Sequence, residues 1–133
     1  MGIGGYITIA ALLHGVDPAL LSSICYVESG HNPAAIAHHD GGSASYGLCQ
    51  IKEATARGLG YGGSVGGLMD GATNAYWAAK LLKYHHKKWG SWKKAVSAYN
   101  AGRPIKGNAR YVRRVWGGAY GREAEGFSAT LLR

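Results

Sequence analysis

The hydrophobic and polar positions fall into segments separated by strong punctuation. Residues from Tyr6 to Leu13 are mostly apolar and Gly15 follows, which predicts a first helix stopped at that glycine. Asp17-Pro18 is a helix start: a capping carboxylate followed by proline at the first helical position. The second helix carries Leu20, Leu21, Ile24, Cys25 and Val27, with Gly30 and Pro33 ending it. From Ala34 to Gly47 the pattern is irregular and rich in Gly, Ser and His, and predicts a loop with room for short hairpin pairing. Tyr46 to Ile51 is a short apolar stretch, Lys52 to Arg57 a short helix, and the glycine-rich run from Gly58 to Gly67 a mobile connection. Asp70 caps a long helix to Trp89 with a stripe of Ala72, Ala75/Tyr76, Ala79 and Leu82. Ser91 caps the next helix, with Trp92, Ala95, Val96 and Tyr99 on one face and Gly102 and Pro104 at its end. Asn108 is the expected cap of a last helix. It turns Tyr111, Val112, Val115 and Trp116 inward, Arg110, Arg113 and Arg114 mostly outward, and stops at Gly117-Gly118. The tail 121–133 has weak periodicity and reads as loosely held. The fold class is mainly α, with one small irregular or short-hairpin lobe after the second helix.

Composition narrows the picture. A length of 133 residues predicts one domain over 1–133, and 47% hydrophobic against 17% charged residues excludes a disordered chain. The net charge of +8 draws the protein to polyanions without choosing among nucleic acid, anionic lipid and cell wall. Basic residues cluster from Lys80 to Lys94 and from Arg103 to Arg114, as a solvated helix face or as a functional patch. The apolar N-terminal stretch has no Lys or Arg before it and is too short to span a bilayer, so the chain reads as leaderless and needing another route of export. Tyr6 stands where a myristoylation signal needs Ser or Thr. Cys25 and Cys49 are the two cysteines, either a disulfide or two buried thiols, with packing as small hydrophobes the favoured reading. Their spacing fits no zinc pattern, the histidines do not complete one, and no metal or other cofactor is expected. The pairs His38-His39 and His85-His86 read as surface residues.

Only seven acidic residues exist, and Glu28 is the one in an unfavourable place. It shares a helix face with Leu21, Ile24 and Cys25, where burial disfavours its ionised form. It also lies in the last turn, where the helix dipole repels a carboxylate. Both effects raise its pKa, which suits a general acid. The plainer alternative is a glutamate at a fraying helix end, reaching water.

The neighbouring motifs strengthen the chemical reading. Glu28-Ser29-Gly30 is followed by Ser45-Tyr46-Gly47-Leu48-Cys49-Gln50-Ile51 and then by Ala98-Tyr99-Asn100-Ala101-Gly102. These three pieces, in this order, resemble the soluble lytic transglycosylases and the related goose-type lysozymes. That family carries Glu-Ser, Gly-Leu-Met-Gln and Ala-Tyr-Asn elements, and Cys49 stands at the usual Met position. Gly15 to Leu21 and Glu28 to Ala35 are also similar, and the resemblance covers about residues 7 to 116. It implies a lysozyme-like fold and a site with Glu28 as catalytic acid/base. Gln50 would line the sugar groove beside Ser45 and Tyr46. Tyr99 would lie near the carboxyl, with Asn100 holding the site together. Periodicity agrees for Tyr99, which sits on an apolar face where its hydroxyl needs a buried partner, though plain core packing also fits it. For Gln50, Ser45 and Tyr46 the plain alternatives are a backbone-bonded amide, a turn hydroxyl and a core ring.

Ordinary glycosidases use two carboxylates. Goose-type lysozymes place an aspartate two residues after the Gln element, where this chain has Lys52, and another shortly before it, for which Asp40 is a rough candidate. Glu53 reads as a surface helix residue and Asp70 as a cap. A lytic transglycosylase needs no second carboxylate. The resemblance then implies cleavage of the peptidoglycan MurNAc–GlcNAc bond with formation of a 1,6-anhydro sugar. A monomer without membrane insertion is expected, and the chain lacks a recognised nucleic-acid motif, so no nucleic-acid partner is expected. A small leaderless enzyme of this kind suggests a phage lysis or virion protein. The rival readings are a muramidase-type hydrolase using Glu28 with Asp40, and an inactive wall-binding or virion-structural module.

Overall fold

The computed structural model describes residues 1–131, with side chains described over 1–121. The elements in chain order are α1 (Ile3–His14), α2 (Pro18–Ser29), β1 (Ile36–Asp40), β2 (Ser43–Tyr46), β3 (Ile51–Lys52), α3 (Glu53–Gly58), α4 (Gly71–Trp89), α5 (Trp92–Ala101) and α6 (Ala109–Leu131). The architecture is mainly helical with one small antiparallel sheet, as in lysozyme-like folds.

The helix boundaries follow local chemistry. Gly15, Gly30, Gly90 and Gly102 close α1, α2, α4 and α5 in the left-handed conformation. Asp17, Asp70 and Ser91 accept backbone N–H groups at the starts of α2, α4 and α5. α1 packs on α4, α2 on α6, and α4 on α5 around a core that includes Leu20, Leu21, Ile24, Leu48, Leu82, Val96 and Val115.

Of the two forms the sequence left open for this lobe, irregular loop or short hairpin, the structure has the hairpin. β1 pairs with β2 (Ile36 opposite Tyr46, Ala37 opposite Ser45), and β2 pairs with the two-residue β3 (Ser45 opposite Lys52). Register slips between Ala37 and Asp40, so the hairpin end is bulged. Mostly exposed strands with no alternating apolar face gave the sequence no period-2 signal. The glycine-rich connection is more organised than a mobile linker. Tyr61 is buried there, its hydroxyl donates to the Ser64 carbonyl, and Gly66–Met69 form a 3-10 turn.

Two helix-end expectations are overturned. Asn108 does not cap α6: it lies in the preceding 3-10 turn Lys106–Asn108, and its amide donates to the Ser97 carbonyl and Asn100 Oδ1. Gly117-Gly118 does not stop α6, which runs on to a non-helical break at Gly121. A Cβ at Gly118 would collide with Ser23 Oγ, whose hydrogen donates to the Val115 carbonyl at 2.5 Å. That glycine lets α2 and α6 approach. Tyr120 adds to the same joint by donating to Asp17 Oδ2 at 2.7 Å. The expectation that the tail 121–133 is loosely held falls on side chains beyond Gly121 and on residues 132–133, which lie outside the described ones.

Cys25 and Cys49 form a disulfide, so the favoured reading of two buried thiols is also overturned. Both residues are fully buried, which satisfied the small-hydrophobe argument equally well. The bridge closes 24 residues of sequence between α2 and the turn before β3. Its reduction is expected to cost about 3 kcal/mol, the loop-closure value for a span of this size. A thermal melt with and without dithiothreitol checks this, and coincident midpoints would sink it.

Candidate active site

Glu28 projects from the last turn of α2, half-buried, into a cavity of about 420 Å³ between the small sheet and the α4–α5 pair. Asp40, Ser45, Gln50, Lys52, Tyr99 and Asn100 line the same cavity, so residues far apart in sequence share one groove. Tyr46 is not among the lining residues. It is packed against the core, and its carbonyl accepts from Asn74.

The carboxyl of Glu28 is pushed up to about 7, first by burial, with the charge of Asp40 adding to the rise. A hydrogen bond opposes both: Tyr111 on α6 donates to Glu28 Oε2 at 2.8 Å and favours the ionised form. The net result is a carboxyl divided between its two protonation states near neutral pH, suited to give up a proton and take one back.

The groove wall opposite is a turn held by its neighbours. Ser29 Oγ donates to the Leu48 carbonyl at 2.6 Å and accepts from the Asn32 N–H, tying the end of α2 to the turn. Tyr99 donates to the Cys49 carbonyl at 2.6 Å, and the Cys49 N–H donates to Asn74 Oδ1 at 2.8 Å. Asn74 also donates to the carbonyls of Tyr46 and Leu68. Gln50 has a φ of 54°, a left-handed conformation unusual for a residue other than glycine. Its amide nitrogen donates to the carbonyls of Ala35 and Gly47. Strained backbone of this kind gathers at functional sites.

Several expected residues have more specific placements than the sequence offered. The hydroxyl of Tyr99 is committed to Cys49, so the tyrosine bonded to the carboxyl is Tyr111. Its place on the inward face of α6 was legible, but its partner 83 residues away was not. Ser45 is fully buried and donates to Asp40 Oδ2 at 2.6 Å. Asp40 ends β1 rather than lying in a loop, and Lys52 Nζ donates to its backbone carbonyl. Asn100 is exposed at the groove rim and accepts from Asn108. Glu53 pairs with Arg57 on the surface. His38 and His39 are exposed, whereas His85 is buried and His86 stacks on Trp92, which corrects the surface reading of the second pair. Asn74 was missed because a lone asparagine among helix formers carries no periodic signal.

Two measurements follow from the balance at Glu28. Removing the Tyr111 hydroxyl (Tyr111→Phe) takes away the contact that favours the carboxylate. Carboxyl NMR should then show Glu28 titrating above its wild-type value of about 7, and an unchanged or lower value would remove this role. The second concerns stability. Because the folded pKa lies above the ordinary 4.5, the native state binds more protons than the unfolded chain between pH 4.5 and about 7. The stability contributed by this group is therefore full below 4.5 and is lost as pH rises through 7. Glu28→Gln should flatten that decline in urea unfolding across the window.

Residues 5–114 match the family described as Transglycosylase SLT domain. The chain is also 33% identical over 92 residues to Protein IpgF of Shigella flexneri, an alignment covering 67% of this chain and 60% of that protein. The chain thus spans about 60% of the length of that relative. With the matched family region containing Glu28, the Gly47–Gln50 turn, Tyr99 and Tyr111, the chain belongs to the SLT transglycosylase domain family.

Proposed function

We propose that this protein is a peptidoglycan lytic transglycosylase, working as a monomeric domain at the cell wall without a cofactor. The observation that carries the proposal is a half-buried carboxyl, pushed up to about 7, inside a groove built from the family's elements. In its protonated form Glu28 gives its proton to the glycosidic oxygen as the bond to the muramoyl C1 breaks. The C6 hydroxyl of the same muramoyl residue then attacks C1 and returns its proton to Glu28. The product is a 1,6-anhydro ring, no water is consumed, and the carboxyl ends as it began. An intramolecular nucleophile supplies the proximity that a bound water would otherwise require. Tyr111 holds the carboxyl in place. Gln50, with its nitrogen committed to backbone carbonyls, offers its amide oxygen to a sugar hydroxyl, and Asn100 contributes from the rim. Ser45 acts through Asp40 rather than on the sugar. The net charge of +8 favours encounter with an anionic envelope.

One observation favours a second reading, hydrolysis. Asp40 lines the same groove and its charge reaches Glu28, so it is placed to assist a water.

Mass spectrometry of digested peptidoglycan separates the two. Transglycosylation gives anhydro-muropeptides one water lighter than reducing-end products, and exclusively reducing ends would establish hydrolysis instead. Glu28→Gln should lower the rate by roughly 10² to 10⁴-fold, the scale of a lost general acid/base. If Asp40 serves only to shape the site, Asp40→Asn keeps the anhydro product. Equal turbidity loss with wild type and Glu28→Gln would discard both catalytic readings.

A further inference from the structure

His85, on α4, is among the residues that line the groove, together with Leu81 of the preceding turn and Thr55, Asn100 and Ala101. Its residue is only 5% exposed. Nδ1 is buried and has no hydrogen-bond partner among the described residues, whereas Nε2 is not among the buried unpartnered atoms. Among the described residues no hydrogen bond to Nε2 is formed either, and the residue lines the cavity. Nothing in the reading of Glu28, Asp40, Gln50 and Tyr99 uses this side chain.

A buried polar group left without a partner costs stability, and an apolar side chain at the same point of α4 would continue the run of Leu81 and Leu82 at no such cost. Burial and the nearby Lys88 both lower its pKa, so the ring is neutral at neutral pH. A neutral imidazole has one N–H and one bare nitrogen. With Nδ1 buried and unpartnered, the tautomer that leaves Nδ1 bare and carries the N–H on Nε2 keeps the donor free for a ligand in the groove.

We propose that His85 is a substrate-binding residue, donating Nε2–H to a neutral oxygen of the bound glycan, a sugar hydroxyl or an N-acetyl carbonyl. This deepens the proposed function and rests on a glycan occupying the groove. A donor to an oxygen that takes no part in the bond changes contributes to affinity and not to bond breaking.

The test uses a Glu28→Gln background, which binds without turnover, and a soluble N-acetylglucosamine pentamer as probe. Titration followed by NMR should move the His85 ring signals together with those of Gln50. His85→Leu should weaken pentamer binding by about 3 to 10-fold, the worth of one neutral hydrogen bond, while His85→Gln, which keeps a donor, recovers part of it. In the active background His85→Leu should raise KM on peptidoglycan with kcat little changed, and its melting temperature should equal or exceed that of wild type. Pentamer binding that moves Gln50 but leaves His85 and the His85→Leu affinity unchanged overturns this inference and leaves the proposed function standing. A pentamer that moves no groove signal, with no peptidoglycan cleavage by the wild type, removes the proposed function and this inference with it.

Discussion

The site depends on how the turn Gly47–Gln50 is fixed. This turn makes no ladder of its own, yet Leu48 and Cys49 are fully buried, and buried backbone groups need partners. The partners come from elsewhere in the fold. Ser29 from α2 bonds the Leu48 carbonyl, Asn74 from α4 takes the Cys49 N–H, and Tyr99 from α5 bonds the Cys49 carbonyl. The disulfide to Cys25 ties the same residue to α2 covalently. Three helices thus meet at one residue. The close contacts at Gly47, where a Cβ would strike Asn74 and the Leu68 carbonyl, leave little room for any other path of the chain.

Because the turn is held there, Gln50 is carried into the groove in a left-handed conformation and β3 is set against β2. Because Ser29 and Cys25 flank Glu28 in sequence, the bonds that hold the turn also hold the end of α2 that carries Glu28. Preorganisation of this kind is what the proposed chemistry of a single carboxyl requires. The protonation balance of Glu28 is a separate matter. Burial raises it, Asp40 raises it further, and Tyr111 pulls it back, so α2, the sheet and α6 each contribute to one acid.

A local cost is visible on the opposite wall, where His85 lines the cavity with its buried Nδ1 left without a partner among the described residues. Natural sequences depart from locally consistent choices most often at functional sites. The basic side chains Arg110, Arg113 and Arg114 on α6 show the contrast, being exposed on a solvated face.

The sequence by itself determined the helices and their ends wherever a side chain acts on its own backbone: Asp17, Asp70 and Ser91 as caps, Gly15, Gly30 and Gly102 as stops. It also singled out Glu28, because an acid on the apolar face at a helix C-terminus conflicts with local physics whatever the rest of the fold does, and the three motifs gave the family. Tertiary structure decided what depends on partners distant in sequence. The bond from Tyr111 to Glu28, the anchoring role of Asn74, the burial of His85 and the choice of a disulfide over two thiols are such cases. So are Gly118, whose lack of a side chain serves packing against Ser23 rather than a helix stop, and Asn108, whose amide serves α5 rather than a cap. Local signals carry no information about these, since a side chain's partner across the fold is set by packing and not by its neighbours in sequence.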